Sequence, residues 1–199
     1  MMPVNPAGCT CGDLFDTAPY RTVIADAEGG VRYWPQLVGQ AQAARWFTAL
    51  RDGVAWRTLQ RPMYERIVDV PRLLAHFELA ELPPASPLRE MLALVREAVP
   101  GAYTDVGLNL YRDGRDSVAM HNDKLHSLVP GEPIALVSLG GVRRMNLRAK
   151  AGGRACALDL APGSLLAMSH ASQLTHEHGI PKTSRPVPPR MSVVFRARP

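Results

Sequence analysis

Apolar positions along this chain change their spacing once, near Tyr103. Before that point they recur at the helical interval. In "PQLVGQAQAARWFTALRDG" the residues Ala43, Phe47 and Leu50 share one face and Gly53 supplies a stop, so the pattern predicts a helix. "ASPLREMLALVREAVPG" predicts a second, with Ser86 as N-cap, Pro87 at the first helical position and Leu88, Met91, Leu92 and Val95 on its apolar face. From Tyr103 onward the runs shorten and read as strands: "TDVGLNLYR", "SVAMHND", "IALVSLG", "VRRMNLRAK", "CALDLAP", "SLLAMSH" and "MSVVFRAR". Gly or Pro punctuates nearly every gap between them. A helical front half followed by an all-β back half predicts an α+β fold with a mainly β core. The core is a double sheet or barrel with helices packed on one outer side, and alternating βαβ units are excluded.

The 199 residues suffice for one domain with a sizeable core. We divide them into an extended lead-in over 1–30, broken by Pro3, Pro6, Gly8, Gly12, Gly29 and Gly30, and a single domain over 31–199. Within the domain, 31–102 is the helical part and 103–199 the β core. No apolar run reaches 18 residues, and the N-terminus lacks a basic segment followed by an apolar one, so neither a membrane span nor a secretory signal is expected. Cys9, Cys11 and Cys156 cannot all pair, which fits a reducing cytoplasm. The net charge of +5 is unevenly placed: residues 101–199 hold thirteen Lys and Arg against seven Asp and Glu. A basic field of this kind suits an anionic ligand or a polyanion such as nucleic acid.

That basic half also holds the candidate chemistry. In "NLYRDGRDSVAMHNDK", His121 and Asp123 stand two apart, and on a strand such residues project from one face. "THEHGIPK" offers His176 and His178 as a further imidazole. Two imidazoles and one carboxylate leave coordination positions open, as in non-haem Fe(II) oxygenases, whereas a closed zinc site needs four Cys or His ligands at finger-type spacing. Arg190 and Arg196, an even number apart in "RMSVVFR", point the same way on a strand toward an anion or pair of anions. Asn109 and Tyr111 share a face in the same manner and bring hydrogen-bonding groups.

Together these segments resemble the AlkB family of Fe(II)- and 2-oxoglutarate-dependent dioxygenases. "NLYRDGRDSVAMHND" is similar to the family's N-x-Y followed by H-x-D, and "PIALVSLGGVRRMNLR" to its strand with S-[LF]-G and a nearby Arg. "LDLAPGSLLAMSHASQLTHEHGIPK" resembles the stretch leading into the distal histidine, and "RMSVVFR" the closing R-x-[NS]-x-x-F-R. Order and spacing agree over 103–197, with a fainter match in "VDVPRLLAHF", 68–77. The resemblance implies a double-stranded β-helix, or jelly-roll, with the metal in its mouth. It implies His121, Asp123 and His178 as Fe(II) ligands, His178 being preferred to His176 because it directly precedes "GIP". It implies Asn109, Tyr111, Arg190, Ser192 and Arg196 as the 2-oxoglutarate set, with Arg190 on the distal carboxylate. The implied reaction consumes 2-oxoglutarate and O2, forms succinate and CO2, and removes an N-methyl group from a nucleobase of DNA or RNA as formaldehyde.

Departures from the family pattern fall on the substrate side. Lys124 and Leu125 follow H-x-D where acidic residues are common, Met120 and Met145 stand where aromatics are usual, and no aromatic lies between Phe77 and Tyr103. Flipped bases are gripped by stacking and edge hydrogen bonds. Trp56, Tyr64, His126 and Arg143 are the residues that could rebuild such a grip. The same iron chemistry on a protein side chain or small molecule is the alternative, and a non-catalytic jelly-roll binding module is a third reading.

Overall fold

Two antiparallel sheets face one another, and the seven short runs of the back half supply most of both. The computed structural model describes residues 19–63 and 66–199. The larger sheet contains β1 (Arg21–Ile24), β2 (Val31–Trp34), β5 (Leu73–Glu78), β6 (Asp105–Tyr111), β8 (Ile134–Gly140), β11 (Ser164–Met168) and β13 (Arg190–Arg196), in the spatial order β1-β2-β11-β8-β13-β6-β5. The smaller contains β7 (Val118–His121), β9 (Arg143–Ala149), β10 (Cys156–Leu160) and β12 (His176–Ile180), ordered β10-β9-β12-β7. A separate hairpin pairs β3 (Gln60–Met63) with β4 (Arg66–Asp69). Successive strands alternate between the sheets often enough to make this a jelly-roll core, as expected.

Burial patterns show which faces are covered. In β8, β11 and β13 nearly every residue is buried, and they read as continuous apolar runs because both faces of the larger sheet are packed. In β9 burial alternates: Arg143, Met145 and Leu147 face inward while Arg144 and Arg148 are exposed, because the smaller sheet has one face in water. The core is therefore double. Tyr111, Met145, Leu147, Leu158, Leu160, Leu166 and Val194 fill the space between the sheets, while Leu108, Leu110, Val137, Met191, Val193 and Phe195 pack beneath the helices.

The helices α1 (Gln40–Gly53) and α2 (Pro87–Ala98) form where the spacing predicts them. Ser86 caps α2, its Oγ accepting the Leu88 N–H at 3.3 Å, and Leu88, Met91, Leu92 and Val95 are the buried face. In α1 the buried residues are Ala43, Trp46 and Leu50, with Phe47 only partly covered. Trp46 goes inside because its indole N–H reaches Glu90 Oε2 on α2 at 2.9 Å, satisfying the one polar atom it carries. Gly140, at φ 76°, ends β8 under α1; a Cβ there would lie 2.5 Å from Pro189 O and 2.7 Å from the Phe47 ring.

The front half is less helical than its sequence suggests. The lead-in contributes β1, and β2 lies inside the larger sheet between β1 and β11. β5 closes the opposite edge by pairing with β6 along six residues, Leu73↔Leu110 to Glu78↔Asp105. β2 and β5 owe their form to β11 and β6, partners more than a hundred and about thirty residues away, which local periodicity does not report. Among the described residues no helix is long and apolar enough to cross a membrane.

Candidate metal and co-substrate site

His121 ends β7 and His178 lies in β12, and the two residues are direct cross-strand partners. Opposed residues of an antiparallel pair project from the same face, which sets the imidazoles side by side with ring centroids 4.5 Å apart. The close fit of these strands depends on Gly179, where a Cβ would stand 3.0 Å from both Met120 N and Val118 O; the register shifts at this point. When His121 Nδ1 carries the proton it donates to Ala119 O at 2.9 Å, which leaves Nε2 as a free lone pair. Burial holds the His178 imidazole down to about 4, and the neighbouring His121 pushes it the same way. At neutral pH His178 is therefore uncharged and able to ligate.

Asp123 follows two residues after His121, and its carboxylate is engaged by Arg196 of β13. Arg196 Nη2 donates to Oδ1 at 3.0 Å and to Oδ2 at 3.1 Å, and Nε donates to Oδ2 at 3.2 Å. Among the described residues no three His, Cys, Asp or Glu side chains are gathered as a metal cluster. The two imidazoles meet; the carboxylate is turned to the guanidinium. A carboxylate offers about four lone-pair sites, so the pair with Arg196 leaves capacity for a cation on the same group. His176, two residues before His178, is partly buried with Nδ1 2.9 Å from Thr175 Oγ1.

The inward face of β6 and β13 gathers a second set of the expected residues. Arg190 is fully buried, its Nε donates to Ser138 Oγ at 3.1 Å, and its guanidinium carbon lies 5.2 Å from the Tyr111 ring centre. Among the described residues neither Nη1 nor Nη2 has a hydrogen-bond partner. Burial lowers the Arg190 pKa to about 10, so the group stays charged at neutral pH. A buried cation with two unmatched amino groups is costly unless an anion completes it, and a carboxylate matches that fork. Asn109 and Ser192 are register partners, joined by Asn109 Nδ2 donating to Ser192 Oγ at 3.4 Å, while Asn109 Oδ1 accepts from Arg72 Nε at 2.8 Å. The donor set thus fits a divalent metal beside a dicarboxylate.

The base-contact candidates fare differently. Arg143 is 3% exposed and donates to the main-chain carbonyls of Asp113 at 2.9 Å, Asp116 at 2.9 Å and Pro181 at 2.8 Å. It ties down the β6–β7 connection, so its guanidinium is engaged by main-chain carbonyls. Trp56 packs on the outer, helix-side cluster and donates to Arg51 O at 2.9 Å, away from the space between the sheets. His126 is exposed on a 3-10 turn, Leu125–Ser127, that follows Asp123. Tyr64 lies outside the described residues, as do Cys9 and Cys11.

Ser138, Arg72 and Gln173 were not singled out by sequence reasoning. Gln173 Oε1 accepts the Asp123 peptide N–H at 3.0 Å. It belongs to α3 (His170–Thr175), six residues long and too short for periodicity to show; Ser169, its N-cap, is the only signal.

Residues 30–196 match the 2OG-Fe(II) oxygenase superfamily. The human DNA oxidative demethylase ALKBH2 is 32% identical over 193 residues, covering 85% of this chain and 74% of that protein. The chain belongs to the AlkB family. Mouse ALKBH2, also a DNA oxidative demethylase, is 30% identical over 96% of this chain and 88% of its own length. Among solved structures, OsALKBH1 superposes with a TM-score of 0.61 at 15% identity over 85% of this chain and 97% of that one. A 2OG-Fe(II) oxygenase family oxidoreductase from Burkholderia pseudomallei gives 0.58 at 17% identity over 84% of each chain. These two establish the fold alone, and it is the jelly-roll expected. As an AlkB-family member the chain is a 2-oxoglutarate- and Fe(II)-dependent dioxygenase that uses O2.

Proposed function

We propose that this chain demethylates N-alkylated nucleobases in DNA or RNA, releasing formaldehyde, succinate and CO2, and that it works in the cytoplasm. The observation that carries the reading is 32% identity to a DNA oxidative demethylase over 85% of the chain. The basic back half supports a polyanionic substrate.

His121, Asp123 and His178 would hold Fe(II), and Arg190 with Asn109, Tyr111, Ser192 and Arg196 would hold 2-oxoglutarate. The bound iron and 2-oxoglutarate supply the oxidation of the N-methyl carbon. The protein's part is placement and charge. His178, kept neutral by burial, presents a lone pair at any pH above about 4. Arg196 orients the Asp123 carboxylate, and Arg190 neutralises a carboxylate that would otherwise be stranded in an apolar core.

A second reading keeps this chemistry and changes the substrate to a protein or small molecule. One observation favours it: with Arg143 and Trp56 committed elsewhere, His126 is the one described candidate left for a base. The two readings separate by mass spectrometry of a single-stranded oligonucleotide carrying 1-methyladenine, incubated with protein, Fe(II), ascorbate and oxygen. Loss of one methyl mass only when 2-oxoglutarate is present is the expected result. Succinate accumulation above an Asp123→Ala control with no methyl lost would transfer the activity to another substrate.

A further inference from the structure

Asp123 is fastened twice, and the second fastening comes from a residue with no metal-binding chemistry of its own. Gln173 is 1% exposed and takes the Asp123 peptide N–H on Oε1 at 3.0 Å. A side-chain amide has one acceptor end and one donor end. The donor end is fixed by Ser172, whose Oγ accepts from Gln173 Nε2 at 3.1 Å while donating to Ser169 O at 2.7 Å. The acceptor end of Gln173 is thereby aimed at Asp123.

A six-residue helix has few hydrogen bonds of its own, so what surrounds α3 must hold it. Its N-terminal side is tied to the β1–β2 connection: Ser169 Oγ accepts the Ser172 N–H at 2.9 Å and donates to Asp26 Oδ2 at 2.5 Å, and Glu28 Oε2 accepts the Ala171 N–H at 2.7 Å. Its C-terminal side is tied to the end of β9, where Lys150 Nζ donates to Gln173 O and the Lys150 peptide N–H to Thr175 O, both at 2.8 Å. Gln173 is thus braced from two elements remote in sequence.

We propose that Gln173 is a positioning residue for the metal centre: it fixes the Asp123 peptide, and with it the direction in which the carboxylate leaves the backbone, while Arg196 fixes the carboxylate's rotation. The proposal rests on the reading of His121, Asp123 and His178 as ligands. Removing the acceptor leaves a partly buried N–H without a partner, and the peptide turns to find one. Groups that orient a metal ligand through a hydrogen bond commonly change metal affinity by about 10- to 100-fold when lost.

The test is Co(II) titration of the full chain, followed by visible absorption, for the native protein and for Gln173→Met, Gln173→Glu and Asp123→Ala, with a melting temperature for each. Gln173→Met keeps length and removes the acceptor; Gln173→Glu keeps an oxygen in place. We expect Gln173→Met to bind Co(II) about tenfold or more weakly while still melting cooperatively, and Gln173→Glu to stay within about threefold of native. Should Gln173→Met not fold, Gln173→Asn, polar and one methylene shorter, carries the same expectation. Native affinity in Gln173→Met, or equal weakening in Met and Glu variants, overturns the proposal. Native affinity in Asp123→Ala instead overturns the ligand reading beneath it.

Discussion

Strand β13 has two faces with opposite fates. Met191, Val193 and Phe195 point to the helices and are buried among apolar neighbours, while Arg190, Ser192 and Arg196 point between the sheets. On the helix side, buried polar tips find partners: the Trp46 indole N–H donates to Glu90 and the Tyr103 hydroxyl to Val99 O. On the inter-sheet side, Arg190 is just as buried yet keeps two amino groups unmatched among the described residues. A core built only for stability would not retain such a group, because an unpaired buried donor costs about 1–3 kcal/mol, and more when charged. One face of the strand is matched within the fold, while the other carries the charge that the proposed co-substrate would match.

That contrast can be broken at either face. His178→Ala, on the inter-sheet side, should abolish succinate formation from 2-oxoglutarate in the iron-loaded protein while thermal unfolding stays cooperative. Activity retained in this variant would remove the imidazole pair from the site. On the helix side Leu108→Ala should lower unfolding free energy by about 2–5 kcal/mol in denaturant titration, with turnover per folded molecule unchanged. A loss of turnover without a loss of stability there would erase the division between the faces.

The division was partly legible in the sequence. The alternation in "RMSVVFR" and "NLY" set Arg190, Ser192, Arg196, Asn109 and Tyr111 on one side, and H-x-D with the later histidine named the imidazole pair; the register His178↔His121 is what joins them. Strand β8 was also plain, because a sheet covered on both faces leaves an unbroken apolar run. What was illegible depended on distant partners. β2 and β5 are strands because β11 and β6 lie beside them. Arg143 looked available to a base because nothing local reveals that three carbonyls from two other segments surround it. α3 escaped because six residues complete fewer than two helical turns.

A pH titration sharpens the comparison further. Because His178 is held near 4 in the fold, against about 6.5 for an unfolded histidine, the unfolded chain binds the extra proton between those values. Stability of the metal-free protein should therefore be intact above about pH 6.5 and fall as pH drops toward 4, by up to roughly 3 kcal/mol from this group. His178→Gln should flatten that part of the profile, and an unchanged profile would contradict the assignment. The smallest effect belongs to the exposed outer face of the smaller sheet. Arg144 and Asp159 form an ion pair there at 2.9 Å with both side chains more than half exposed, so Arg144→Ala should cost below about 1 kcal/mol and less at high salt.

The proposal that the Arg190 donors bind 2-oxoglutarate is tested by calorimetric titration of 2-oxoglutarate into Mn(II)-loaded native protein and Arg190→Met. The native chain should give a binding isotherm and the variant an affinity at least about tenfold weaker, as expected for loss of a charge-assisted hydrogen bond. Equal affinity in the two proteins would contradict it.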